Sequence, residues 1–164
     1  MWKKILLLLS VFCLISCTSI PKHSTVYYSE DYLEQFCYEI RDVDVSIDYV
    51  NEAVIAEQVR ILLESITNRN QNIENKVFID FNVLQRSFIQ DINQKTTIYI
   101  NVAGYNSNNE ILFRENYYLT GKETFLSSVT QYRCVNYITK KLLKYQESIE
   151  KKIIQRDEKA NKIQ

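Results

Sequence analysis

The chain has 164 residues, with 20 basic against 20 acidic side chains, 46% apolar residues and 24% charged residues. This composition is ordinary for one globular domain, and the low glycine and proline content excludes collagen-like and low-complexity proteins. A single histidine, His23, excludes a multi-histidine metal site and a Ser-His-Asp hydrolase. The balanced charge argues against a general nucleic-acid-binding protein.

The first residues have the pattern of a secretory signal peptide. Met1 to Lys4 form a short positive stretch, and an apolar run of about eleven residues follows from Ile5 to Ile15. Such a run suits a signal peptide and is well short of the ~20 residues that a membrane-spanning helix needs. We therefore predict a signal peptide over residues 1–16.

The end of this run, Leu14-Ile15-Ser16-Cys17, resembles the bacterial lipobox. The resemblance implies that the signal is cut before Cys17, and that this residue carries diacylglycerol on its sulfur and an acylated amino group. Several acyl chains on one residue make a lasting anchor, whereas one chain binds a membrane only marginally. Thr18 stands where an aspartate would favour the inner membrane, which implies the outer membrane, with the domain in the periplasm or at the cell surface.

Two further cysteines, Cys37 and Cys134, remain in the mature chain. The compartment beyond the inner membrane is oxidising, so a disulfide between them is chemically allowed. The alternative is two unrelated buried thiols, because a disulfide needs Cα atoms within ~7 Å. Neither cysteine belongs to a C-x-x-C pair, which argues against redox catalysis and zinc binding.

Residues 17–34 are polar and contain the only proline, Pro21, so we predict a lipidated tether there. From Phe36 to Tyr49 apolar and polar side chains alternate, which predicts a strand. The apolar phase shifts by one residue in the middle of this segment. A bulge near Arg41-Asp42, or two short strands, would resolve the shift.

A helix and three strands are expected next. Apolar residues recur at three- and four-residue steps from Val50 to Ile66, the period of a helix, and a polar loop follows over residues 68–76. Alternating segments at 77–90, 98–103 and 111–119 predict strands. Their short connections require antiparallel neighbours.

Thr120 and Glu123 fit a capping box that begins a second helix, with apolar residues at helical spacing over 125–143. Residues 149–164 are mostly charged and are predicted to be a helical or disordered tail. The predicted fold is α+β in the order β-α-β-β-β-α, a single mostly antiparallel four-stranded sheet with two helices packed on one face. This domain would span residues 35–148.

One face of the predicted sheet combines aromatic rings with polar and cationic groups. Exposed aromatic patches often mark partner sites, and arginines bind phosphate or carboxylate. The alternative is that aromatics are simply favourable cross-strand residues in any sheet. The residues proposed for a partner or ligand face are Arg86, Tyr99, Asn101, Arg114 and Tyr118.

Charge is uneven along the chain. Residues 140–164 hold eight basic and four acidic side chains, a net charge of +4, which fits either a solvated helix face or contact with anionic headgroups or an acidic partner. Asp42, Asp44 and Asp48 lack the glycine and glutamate of an EF-hand, and no glycine-rich phosphate loop is present. We therefore expect no metal, no cofactor and no catalytic residue.

The lipobox, the predicted order of elements and the segment QRSFIQDINQKTTIYINVAGYNSNNEILFRENYYLTGKETF resemble small envelope lipoproteins, over about residues 36–146. These are the lipopolysaccharide-assembly lipoprotein and the auxiliary lipoproteins of ABC-type lipid transporters. The resemblance implies a non-enzymatic, membrane-anchored component of an envelope lipid-transport or assembly system that binds an envelope protein or a lipid. The alternatives are a cell-wall synthase activator, a surface-exposed adhesin-like lipoprotein and an enzyme.

Overall fold

The computed structural model describes residues 21–29, 31–47, 50–67, 73–90 and 93–161. The predicted signal peptide and the lipobox cysteine, Cys17, lie outside these residues. Among the helices that the structure describes, none is both long and apolar enough to cross a membrane.

The described chain forms five strands and two helices. In chain order they are β1 (Lys22–Tyr28), β2 (Cys37–Ile47), α1 (Glu52–Thr67), β3 (Lys76–Gln90), β4 (Asn93–Tyr105), β5 (Ile111–Gly121) and α2 (Ser128–Asn161). The strands make one sheet in the order β1-β5-β4-β3-β2. The fold is therefore α+β, as the sequence predicts.

The pairing of β2 differs from the predicted sheet. β2 runs parallel to β3, with Val43 opposite Phe81 and Val45 opposite Val83, whereas the other neighbouring strands are antiparallel. The reason is that β2 and β3 are joined through α1, and a connection that contains a helix returns the chain in the same direction. The sheet is therefore mixed.

The prediction of four strands and a tether over residues 17–34 missed β1. This edge strand pairs antiparallel with β5, with Tyr27 opposite Arg114 and Tyr28 opposite Phe113. The Ser29 amide then donates a hydrogen bond of 2.7 Å to the Leu112 carbonyl. The ordered domain in the structure thus begins well before residue 35.

The phase shift in β2 is explained by a bulge, as the sequence predicts. The register with β3 shifts between Ile40 and Asp42. Tyr38 is buried before the shift, and Val43 and Val45 are buried after it. The extra residue therefore keeps one side of the strand in the core.

The core lies between one face of the sheet and both helices. The alternation predicted for β3 and β4 is confirmed, because every second residue belongs to one buried cluster with residues of both helices. The central members of this cluster are Val77, Ile79, Phe81, Val83, Ile98, Ile100, Val102, Ile55, Val59, Leu63, Val135, Ile138 and Leu142.

The start of β5 departs from the predicted pattern. Leu112 and Phe113 are both buried and Ile111 is exposed, so strict alternation fails there. The cause is a second register shift, between Gly104 and Tyr105, which places Ile111 opposite Tyr105.

The second helix begins later than its capping box predicts. β5 continues to Gly121, and Glu123 forms an ion pair with Arg133 instead of capping the chain at Thr120. The turn before α2 is held from the sheet, because the Gln85 side-chain oxygen accepts a hydrogen bond of 2.7 Å from the Phe125 amide.

At its other end α2 extends through most of the predicted tail, to Asn161. Ile149 and Ile153 are buried there and belong to the core cluster. Of the two alternatives for the tail, helical or disordered, the structure shows a helix as far as Asn161, and this part of the helix packs on the domain instead of lying outside it.

Cys37 and Cys134 are buried free thiols, so the structure does not contain the disulfide considered above. The Cys37 thiol donates a hydrogen bond of 3.4 Å to the carbonyl of Ile73. Burial raises the pKa of the Cys134 thiol to about 11.

Candidate functional site

The side chains of β3, β4 and β5 that point away from the helices form a surface that we call the open face. The five residues proposed for a partner face, Arg86, Tyr99, Asn101, Arg114 and Tyr118, all have this orientation, because they alternate with buried residues in the observed registers. The structure thus brings them onto one side of the sheet, although they do not form one compact cluster.

Two tyrosines form the aromatic centre of the open face. Tyr99 and Tyr118 are register partners on neighbouring strands, and Leu84 lies opposite Tyr99 on its other side. Tyr99 is 45% exposed and Tyr118 is half-buried. The pair therefore offers an apolar surface edged by two phenol groups that can donate or accept hydrogen bonds.

A row of amides lies beside the tyrosines. Asn82, Asn101 and Asn116 occupy directly opposed positions on three adjacent strands. Asn101 is exposed, whereas the other two are half-buried. Each amide group carries both donors and acceptors, so the row suits a peptide backbone or a hydroxyl-bearing ligand.

The two predicted arginines lie far apart. Arg86 is opposite Thr97 and Arg114 is opposite Ala103, so six residues of β4 separate their positions. At ~3.4 Å per residue this is about 20 Å. They therefore cannot bind one small anion together, and each would meet a different part of a large partner.

Arg41 lies at one end of the open face, and it is not among the site residues proposed from the sequence. The Arg41 guanidinium donates two hydrogen bonds to Asp80, of 2.8 and 2.6 Å, and one of 2.9 Å to the side chain of Asn109. It also lies 4.1 Å from the centre of the Tyr105 ring. These hydrogen bonds to Asp80 are the main reason that the pKa of Arg41 is raised.

Sequence reasoning also missed Tyr27, which extends the open face onto β1. This side chain is 54% exposed and lies opposite Arg114. The signal was present in the run Thr25-Val26-Tyr27-Tyr28, since β-branched and aromatic residues favour strands.

The open face offers rings, amides and cations for binding. In the described part of the chain, no three His, Cys, Asp or Glu side chains are grouped so that they could hold a metal ion. The rings of the open face can stack on a partner, and its amides and phenol groups can form hydrogen bonds.

No family model matches the chain, and no curated protein is significantly similar to it. Among solved structures, two of the PelC dodecamer from Paraburkholderia phytofirmans are similar. One, of a point variant, has a TM-score of 0.42 with 8% sequence identity, over 70% of this chain and 91% of that chain. The other has a TM-score of 0.41 with 9% identity, over 73% of this chain and 98% of that chain. Neither similarity reaches the level at which a shared function follows.

Proposed function

We propose that this chain is an outer-membrane lipoprotein, anchored through Cys17, that binds a protein or lipid component of an envelope transport or assembly system. Its open face would make the contact, and its role would be that of an accessory component without catalysis. The observation that carries the proposal is the exposure of Tyr99 beside Tyr118 on a sheet face that neither helix covers.

The composition of the open face supports a binding role. Tyrosine and arginine are enriched in the central, energetically dominant parts of protein interfaces, because each combines a large apolar area with polar groups. Tyr99, Tyr118 and Arg114 provide this combination, and Asn101 adds an exposed amide.

The position of β1 limits how far the domain can stand from its anchor. Five residue steps separate Cys17 from Lys22, the first residue of the sheet. Fully extended, they span at most about 18 Å. An acylated Cys17 would therefore keep this edge of the sheet close to the bilayer surface, where an envelope partner can reach the neighbouring open face.

Binding by the open face is tested with the double variant Arg114→Glu/Tyr118→Ala. The matched control, Arg156→Glu/Tyr132→Ala, makes the same chemical changes at exposed positions of α2. Proteins are captured by crosslinked pulldown from native membranes. We expect the first variant to lose the partner that the wild type and the control retain, with all three melting alike. Full capture by the first variant would rule out the open face.

Anchoring is tested with Cys17→Ala, compared with Cys13→Ala inside the predicted signal. We expect Cys17→Ala to remain uncleaved or unanchored, whereas Cys13→Ala is processed normally. Mass spectrometry of the amino terminus measures the acyl chains, and an intact, unacylated terminus in the wild type would refute the anchor.

The identity of the captured protein separates the proposed role from its alternatives. A transporter subunit or a membrane β-barrel supports the proposal, whereas a cell-wall synthase would identify an activator. Protease accessibility of the domain on intact cells would instead favour a surface adhesin.

A further inference from the structure

A second candidate site lies between the edge strand β1 and the long helix α2, and Tyr27 of the open face borders it. It is a cleft of about 670 Å³, within the ~300–1,000 Å³ typical of small-molecule sites. Tyr28 lines it from β1, and Tyr145 and three lysines line it from α2. The lysines are Lys141, Lys144 and Lys152, and we call this cavity the lysine cleft.

The lysine cleft is strongly cationic. Lys141, Lys144 and Lys152 recur at steps of three and eight residues, so they lie along one side of α2 over about 17 Å. Three lysines thus line one cavity with no acidic residue among the described lining residues, and the Lys141 Nζ atom also lies 5.7 Å from the centre of the Tyr137 ring.

The wall and floor of the lysine cleft are aromatic and polar. The rings of Tyr28 and Tyr145 stack with centroids 4.8 Å apart. Beneath them, the Tyr28 hydroxyl donates a hydrogen bond to the Oε1 atom of Glu115, whose exposure is 0%. The Glu115 Oε2 atom and the hydroxyl of Tyr145 are buried, and neither has a hydrogen-bond partner among the described residues.

The Glu115 Oε2 atom and the Tyr145 hydroxyl are buried without a hydrogen-bond partner among the described residues, and such burial lowers the stability of a fold. An unsatisfied buried polar atom destabilises a fold and is uncommon in native proteins. Burial raises the pKa of Glu115 to about 7, and the charge of Lys141 opposes this shift. A carboxyl group that gains or loses its proton near neutral pH thus lies below the lysines.

We propose that the lysine cleft binds a phosphate ester, with its phosphate beside Lys141 and Lys144 and its carbon part against the rings of Tyr28 and Tyr145. Lys152, about 12 Å further along α2, adds to the positive potential of the cleft. Lysines provide point charges suited to phosphate, and no arginine is among the described lining residues to favour a bidentate carboxylate. The ester can be a phospholipid headgroup or a small soluble molecule. Tyr27 borders both surfaces, but none of the groups assigned here to the phosphate ester belongs to the open face, so this proposal does not rest on the proposed function.

The position of Glu115 makes the affinity of the cleft depend on pH. Tyr28 on β1 donates a hydrogen bond to the Glu115 carboxyl group, and Lys141 on α2 interacts with its charge. The next titratable groups are Tyr145 on α2, which stacks on Tyr28, and His23 on β1, which stacks on Tyr117 of β5. Loss of the Glu115 proton places a negative charge below Lys141, which weakens the attraction for an anion. Affinity is therefore higher at pH 6 than at pH 8, and Glu115→Gln abolishes most of this difference.

The experiment uses the full-length protein in nanodiscs of digalactosyldiacylglycerol, a lipid without phosphate, titrated with glycerophosphoglycerol by calorimetry. This phosphodiester keeps a single charge between pH 6 and pH 8, so the pH dependence reports the protein. The test variant is Lys144→Ala/Lys152→Ala. The matched control, Lys151→Ala/Lys159→Ala, removes two exposed charges of α2 that do not line the cleft.

We expect the test variant to bind about tenfold or more weakly than the wild type, and the control to bind almost normally. Equal losses in both variants would mean general electrostatic attraction and would overturn the proposal, as would absence of binding to the wild type. A pH difference that persists in Glu115→Gln would overturn the role of that carboxyl group.

A second titration identifies the source of the phosphate. Nanodiscs that also contain phosphatidylglycerol present the lipid headgroup to the cleft directly. Weaker apparent binding of glycerophosphoglycerol there would show that the lipid competes and is the ligand source. Unchanged binding would assign the cleft to soluble phosphate esters.

Discussion

The ring of Phe113 lies against Gly104, its register partner on β4, and fills the space that a side chain at residue 104 would need. A Cβ atom there would overlap three atoms of the buried ring. We therefore expect Gly104→Ala to lower the free energy of unfolding by about 1–3 kcal/mol, because a close-packed core accommodates an added methyl group only by strain. Urea unfolding measures the change.

Gly121→Ala is the matched control for this substitution. A Cβ atom at residue 121 would meet only one neighbour, the Glu123 amide nitrogen at 4.0 Å, so we expect little change in stability. Replacing the Phe113 ring with a smaller side chain should relieve the strain. Gly104→Ala should therefore lower the free energy of unfolding less in a Phe113→Leu background than in the wild type. Equal stability of Gly104→Ala and the wild type would contradict the contact.

β3 and β4 could be predicted as strands because each has one buried face and one polar face. Apolar and polar residues therefore alternate in their sequences. The change of phase near Arg41 predicted either a bulge or two short strands, and the structure has the bulge. The parallel pairing of β2 with β3 was not predicted, because alternation along one strand does not indicate which strand is its neighbour in the sheet. β1 was missed because its aromatic and β-branched run is short and follows polar residues.

The candidate sites could likewise be predicted only in part, because alternation gives the face of a strand but not its neighbours or its register. The orientation of Tyr99 and Tyr118 followed from alternation, but the distance between Arg86 and Arg114 depends on the register of three strands. Glu115 occupies a core-facing position that a charged residue rarely takes, and it was not singled out from the sequence. Its burial depends on Tyr28, which belongs to a strand that the sequence did not reveal.

Glu115 should make the stability of the domain depend on pH. Burial raises its pKa from 4.5 to about 7, so between these values the folded protein binds more protons than the unfolded chain. Stability therefore falls as pH rises through this range. We expect Glu115→Gln to remove this part of the pH dependence and to be more stable than the wild type at pH 8, by up to about 3 kcal/mol.

Urea unfolding of both proteins at pH 5 and pH 8 measures the effect. The informative quantity is the difference between Glu115→Gln and the wild type, because other titrating groups cancel in it. Glu158→Gln at the exposed end of α2 is the control and should follow the wild type. A difference that is the same at both pH values would show that the Glu115 carboxyl is not perturbed by its burial.

The two faces of β4 are distinguished by a pair of neighbouring substitutions. Ile100 is buried in the core, whereas Asn101 is exposed on the open face. We expect Ile100→Asp to unfold the domain, because an isolated carboxylate cannot be buried among apolar side chains. Asn101→Asp introduces the same carboxylate and should melt like the wild type. Circular dichroism melting measures both, and a normal melting temperature for Ile100→Asp would overturn the assignment of the faces.

The last turns of α2 belong to the domain because one side of the helix still packs on the core. Ile149 is 1% exposed and lies in the core cluster, whereas Ile154 is 56% exposed on the same helix. We expect Ile149→Ala to lower the free energy of unfolding by about 2–5 kcal/mol through lost burial and the cavity it leaves. Ile154→Ala deletes the same atoms from a solvated position, so it should change stability by less than about 0.5 kcal/mol. Urea unfolding compares the two, and equal effects would mean that residues 149–161 form the independent charged tail that the sequence alone predicts.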